Sequence, residues 1–142
     1  MTRLGKQPPR HKFFLNPYQD VRFSSCPKCD GKTKLRKFPL LIHVDPLQPI
    51  VLNKSCRYCP YCDLIIAHQD EIEEQLTFLF MQQQPEMIGN DYLVIGTLDK
   101  ADWRRSMKQP FNFEEMRNCL HDFKKVMSFE PMRYTWVKDD SK

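Results

Sequence analysis

Two tetrapeptides constrain this chain more than any other feature: Cys26-Pro27-Lys28-Cys29 and Cys59-Pro60-Tyr61-Cys62, both of the form C-P-x-C. Cysteines three apart let a tight turn aim both sulfurs at one point, and the proline presets φ for that turn. Backbone N–H groups of the same turn can donate to the thiolates. Two such knuckles at the ends of a hairpin complete a four-sulfur tetrahedron, the closed arrangement zinc takes in structural sites. The second pair can be drawn another way, because Cys56-Arg57-Tyr58-Cys59 is itself C-x-x-C and would leave Cys62 out. A five-cysteine cluster with Cys56 in reserve is a third arrangement.

Residues 22–68 resemble the zinc-ribbon family, with its rubredoxin-like knuckles. The resemblance rests on the two C-P-x-C units and covers about a third of the chain. It implies Cys26, Cys29, Cys59 and Cys62 as ligands of one structural Zn2+, with Cys56 a strand residue nearby. The chain departs from the pattern at Asp30 and Asp63, which follow the knuckles where glycine is common; Gly31 is placed to serve the first turn instead. Iron is the next metal for four thiolates, as in a rubredoxin-like redox protein. Cys59-Pro60-Tyr61-Cys62 also matches the active-site tetrapeptide of glutaredoxin-like proteins. That thiol chemistry needs a helix after the motif to lower the nucleophile's pKa. Here Leu64-Ile65-Ile66-Ala67-His68 follows and reads as strand.

Charge is distributed unevenly around this motif. Residues 1–40 hold ten Lys/Arg and two acids, whereas residues 41–142 hold 12 bases and 16 acids. A basic leading part points to a polyanion partner. Lys28, Lys32, Lys34, Arg36 and Lys37 lie on the first knuckle and hairpin, with Phe23, Phe38, Tyr58 and Tyr61 near them. Cations would neutralise phosphates, and exposed rings would stack on unpaired bases. The leading expectation is therefore a non-catalytic accessory protein that binds nucleic acid or a nucleoprotein complex, with Lys28, Lys32, Lys34, Arg36, Lys37 and Tyr61 at the interface. The competing expectation is a protein-interaction adaptor whose zinc only staples the fold while the helix or edge strands dock a partner; separately, Phe38 and Tyr58 can pack the ribbon's core with the lysines merely solvated. Lys100, Arg104, Arg105 and Lys108 flank Trp103 as a second basic cluster.

The expected fold is α+β: a zinc-ribbon β-hairpin extended by a small sheet with two to three helices. Residues 1–21, broken by Pro8-Pro9 and Asn16-Pro17, read as a basic extended arm. Residues 22–68 form the ribbon, with strands over Thr33–Val44, Pro49–Cys56 and Leu64–His68; Pro39 and Pro49 argue for edge positions. Residues 69–142 form an α+β part packed on the ribbon. Asp70 and Glu73 predict a capped helix with Ile72, Leu76, Leu79 and Phe80 as its apolar stripe. Tyr92–Leu98 predicts a strand that pairs with Leu64–His68, and Asp99 caps a short helix over Lys100–Met107. Asn112 caps a longer one over Phe113–Met127, with Cys119 beside its apolar face. Met132–Val137 predicts a last strand.

Other chemistry finds little support in the residues. No apolar run approaches the roughly 20 residues that span a bilayer, so no membrane partner is expected. The opening residues lack an apolar signal region, and the protein is expected in the cytoplasm, or the nucleus in a eukaryote. Ten Phe, five Tyr and two Trp argue against general disorder. No phosphate loop or nucleophile elbow exists among four glycines. His11, His43, His68 and His121 make no zinc-protease pair; His68 is the one close enough in sequence to substitute for a cysteine. No catalytic residue is expected.

Overall fold

The span between the two knuckles folds into the longest hairpin of the chain. In the computed structural model, which describes residues 4–46 and 48–129, β2 (Lys34–Val44) and β3 (Gln48–Cys59) pair antiparallel from Lys34–Tyr58 to Val44–Gln48. Around them lie β1 (Lys12–Asn16), β4 (Leu64–His68), β5 (Tyr92–Thr97), β6 (His121–Asp122) and β7 (Lys125–Met127). The seven strands run in the order β6-β5-β2-β3-β4-β1-β7. β1 is parallel to both β4 and β7, and the other pairings are antiparallel. Three helices complete a mixed α+β fold: α1 (Gln69–Gln83), α2 (Lys100–Lys108) and α3 (Phe113–Cys119). None of the described helices is long and apolar enough to cross a membrane.

Chain connectivity requires this sheet to curl. β6 and β7 are its opposite edges, yet only Phe123 and Lys124 separate them. Flat strands about 4.8 Å apart would put those edges about 29 Å from one another. Three peptide steps of about 3.8 Å reach only about 11 Å. The link is also fastened on both sides: Phe123 N–H donates to Ile95 O (3.2 Å) and Lys124 N–H to His11 O (2.7 Å). Phe123 turns into the interior and stacks on Phe13, with centroids 4.5 Å apart and rings 6° from parallel.

Strand alternation sorts the apolar residues into an inner and an outer set. Phe38, Leu40, Ile42 and Val44 of β2 face Ile50, Cys56 and Tyr58 of β3 inside the curl, where α1 adds Ile72, Leu76 and Phe80. Phe14, Leu64 and Ile66 point outward and are covered by Phe23 and Cys26 of the first knuckle and by Met127 and Phe129. Leu41, Leu98 and Leu120 form a further outer layer with Met116 and Cys119 of α3. Lys54 falls on the inner face and is buried; its Nζ is satisfied by Glu71 (2.6 Å) and Ser55 O (2.8 Å).

Several expectations are corrected. Within the basic extended arm expected over residues 1–21, β1 lies in the sheet between β4 and β7 with Phe13, Phe14 and Asn16 buried. Pro39 does not mark an edge: β2 is interior, and Pro39 accepts from Leu98 N–H (3.0 Å) just where β5 pairing ends. β5 pairs with β2 rather than β4. α1 begins after His68 without a side-chain cap, and Asp70 lies in its first turn. Leu79 is exposed, so the buried stripe is Ile72, Leu76 and Phe80. α3 starts at the expected Asn112 cap, where Glu115 completes a capping box, but stops at Cys119 instead of Met127. The Met132–Val137 strand lies outside the described residues.

The closing link carries a prediction. Phe123→Ala removes the ring that fills the seam, and we expect a loss of about 3–5 kcal/mol in urea unfolding. An unchanged midpoint would contradict the closure described here.

Candidate metal centre

The two knuckles reach one point by different routes. Cys59 ends β3 and Leu64 starts β4, so the second knuckle is the turn between adjacent strands. The first lies outside the sheet and is held by its own hydrogen bonds. Cys26 N–H donates to Gly31 O (2.7 Å) and Asp30 N–H to Cys26 O (2.8 Å). Lys28 N–H and Gly31 N–H then donate to the sulfurs of Cys26 and Cys29, each at 3.3 Å. Asp30 (φ 64°) and Asp63 (φ 56°) take the left-handed conformation after each knuckle. A short polar side chain tolerates that region better than most, which is why aspartate stands where glycine is usual. Gly31 serves a different purpose: a Cβ there would lie 2.9 Å from the Tyr61 ring. The second knuckle therefore leans on the first through Tyr61.

Cys26, Cys29, Cys59 and Cys62 place their sulfurs within 4.8 Å of one another. Cys29 and Cys59 are 3.5 Å apart, and Cys26 and Cys62 are 3.9 Å apart. A tetrahedral ion with thiolate bonds of about 2.3 Å needs sulfurs about 3.8 Å from each other. These separations fit a metal and are far too long for a disulfide of about 2.05 Å; all six cysteines are free. Cys56 is excluded by strand geometry. Three residues before Cys59 on the same strand, it points to the opposite face, where its thiol donates to Lys54 O (3.4 Å) among core residues. Burial pushes the Cys56 thiol up to about 12. His68 is also elsewhere, with its Nε2 3.0 Å from Val21 O.

Protons compete with a metal ion for the sulfurs. Burial, then the neighbouring sulfurs, push Cys62 up to about 12 and raise Cys59 as well. Only Cys29 is lowered, chiefly by the Gly31 N–H. Metal must therefore displace protons to bind, and its affinity rises with pH.

Asp63 organises a polar shell beside the sulfurs that the sequence did not reveal. Its Oδ1 accepts from Tyr58 OH and pairs with His11 Nδ1, both at 2.6 Å. Its backbone carbonyl accepts from Lys12 N–H (2.7 Å), and Lys12 Nζ donates to Cys62 O (3.2 Å). Partial burial pushes the Asp63 carboxyl up, but the bonds from Tyr58 and His11 outweigh it and hold it below the usual range. Burial lowers His11 despite Asp63. Such a contact spans the β1 arm and the second knuckle, two segments with no shared motif.

The expected interface is only partly brought together. Lys28, Lys32, Lys34 and Lys37 are exposed at this end of the molecule. Arg36 is exposed too, but its guanidinium lies 5.0 Å from the Phe38 ring centre and 5.3 Å from that of Tyr58. Phe23, Phe38 and Tyr58 are buried, so the expected aromatic surface reduces to Tyr61, which is 78% exposed. Leu35, overlooked between its charged neighbours, is 66% exposed. In the second basic cluster, Arg105 pairs with Asp102 and lies over Phe111, which takes it out of a free basic face. No family model, curated protein or solved structure matches this chain.

The geometry separates the cysteines experimentally. Cys26→Ser and Cys59→Ser should each abolish stoichiometric metal binding, while Cys56→Ala retains it; elemental analysis of purified variants reads the difference. In chelator competition, metal affinity should fall steadily as pH is lowered from 8 to 6, and a flat profile would contradict thiolate ligation.

Proposed function

We propose that this protein is a non-catalytic structural-zinc protein that binds nucleic acid through its metal end. The observation that carries this reading is the position of Tyr61. Its ring is exposed and rests against Gly31, the chain neighbour of Lys32, just after the first knuckle. Knuckle geometry that holds an aromatic ring outward among exposed lysines suits stacking on an unpaired base with phosphates neutralised alongside. The four-thiolate set suits zinc or iron; this reading takes zinc because a staple between segments needs no redox change. Metal binding then coincides with the docking of residues 22–33 on the outer face of β1 and β4.

The adaptor reading has its own observation. α1 exposes Phe78 (65%), Leu79 (45%) and Met81 (55%), a face suited to a protein partner.

Fluorescence anisotropy with single- and double-stranded DNA and RNA across salt tests the proposal. Lys32→Gln, Lys34→Gln and Lys37→Gln combined should reduce the slope of log affinity against log salt by about 2. Tyr61→Ala should weaken single-strand binding by about 1–3 kcal/mol and duplex binding less. Absence of binding to every oligonucleotide, with metal loaded, would favour the adaptor.

A further inference from the structure

We propose a second site at the opposite end of the sheet: a cleft that binds a small organic ammonium compound with an apolar body. It is independent of the nucleic-acid reading. The cleft holds about 520 Å³ between α1 and the segment from Met87 to Tyr92. That volume falls within the range of roughly 300–1,000 Å³ typical of small-ligand pockets. Its walls include Val44, at the far end of β2 from Lys34, and Leu15, three residues along β1 from Lys12.

The lining defines the ligand. Leu76 and Phe80 of α1, Val44 and Met87 are buried residues that give an apolar floor. Glu73 stands on the wall above it in a fixed position. Its Oε2 accepts from Tyr92 OH (2.8 Å) and from Gln69 Nε2 (2.9 Å), and its Oε1 takes neither bond. Asp91, exposed, lies on the facing wall. Among the described residues, no Lys or Arg lines the cleft. The bias extends along the sequence: residues 58–99 contain eight Asp/Glu and no Lys or Arg. Gly89 (φ 88°) makes the turn in the lip, and the space a Cβ would enter is open. A carboxylate ligand would meet two negative groups with no counter-charge among the described lining residues. A cation would pair with Glu73 and Asp91 while its apolar body displaces water from the floor.

A matched series tests this on the full-length, metal-loaded chain. 2-Phenylethylammonium, 2-phenylethanol and 3-phenylpropionate share a ring and differ in charge. In NMR titrations, the ammonium compound should give saturable shifts at the Met87 methyl and Tyr92 ring, with at least tenfold tighter binding than the carboxylate. Glu73→Gln should weaken it about tenfold. Asp91→Asn, a change at an exposed turn that folding tolerates, should weaken it several-fold without moving the Cys26 and Cys59 signals. Equal binding of all three compounds, shifts centred elsewhere, or no saturable shift of Met87 and Tyr92 would overturn the proposal.

Discussion

Four sulfurs held within 4.8 Å of one another are the constraint on which the metal end of this protein depends. They join a loop outside the sheet, residues 26–29, to the turn between two core strands. Unmetallated, the sulfurs touch one another only weakly, at 3.5 Å between Cys29 and Cys59 and 3.9 Å between Cys26 and Cys62. With a divalent ion, the cluster becomes a covalent-strength staple. The consequences spread through neighbours rather than through the sulfurs alone. Cys26 and Phe23 roof the outer faces of Phe14, Leu64 and Ile66. Asp63, turned by its left-handed backbone, gathers Tyr58, His11 and Lys12. The register of β1 against β4 is thus fastened at the knuckle, from Lys12–Leu64 onward.

Closure of the sheet is the second organising element, and it divides the molecule electrostatically. The link Phe123–Lys124 joins the edges, and α1 covers one end of the interior. Lysines collect on the hairpin end that carries the knuckles. Acids collect on α1 and the segment after it. The two ends therefore differ in the charge that they present, which is the basis of both proposals. Buried Lys54 with Glu71 is where a basic strand position meets the acidic helix, and that pair fixes α1 to β3.

Much of the local structure was legible because it is written in local chemistry. Alternation and β-branched residues specify the hairpin strands, and Asn112 with Glu115 specifies the start of α3. The knuckles are legible because C-P-x-C leaves few geometries open. What the sequence hides is non-local. β1 is five residues between prolines, and its partners lie about fifty and over a hundred residues away. The apolar positions Leu120, Phe123 and Met127 imitate a continuing helix, yet they enter three different layers: the α3 layer, the inner core and the outer face beneath the knuckle. Phe38 and Tyr58 could be read either as core or as interface, because composition cannot tell an aromatic residue that fills a core from one that faces water, and the structure buries both. The Asp63–His11 contact has no sequence signal at all, since neither residue belongs to a recognisable pair.

The most direct measurement is metal content together with free-thiol count on natively purified protein. The account predicts one zinc per chain and four thiols protected from alkylation until a strong chelator is added. Cys119, half-buried on α3, should remain reactive throughout. A metal-free protein whose Cys26, Cys29, Cys59 and Cys62 are freely alkylated would contradict the staple. Iron in place of zinc would keep the tetrahedron and replace the structural role with a redox one.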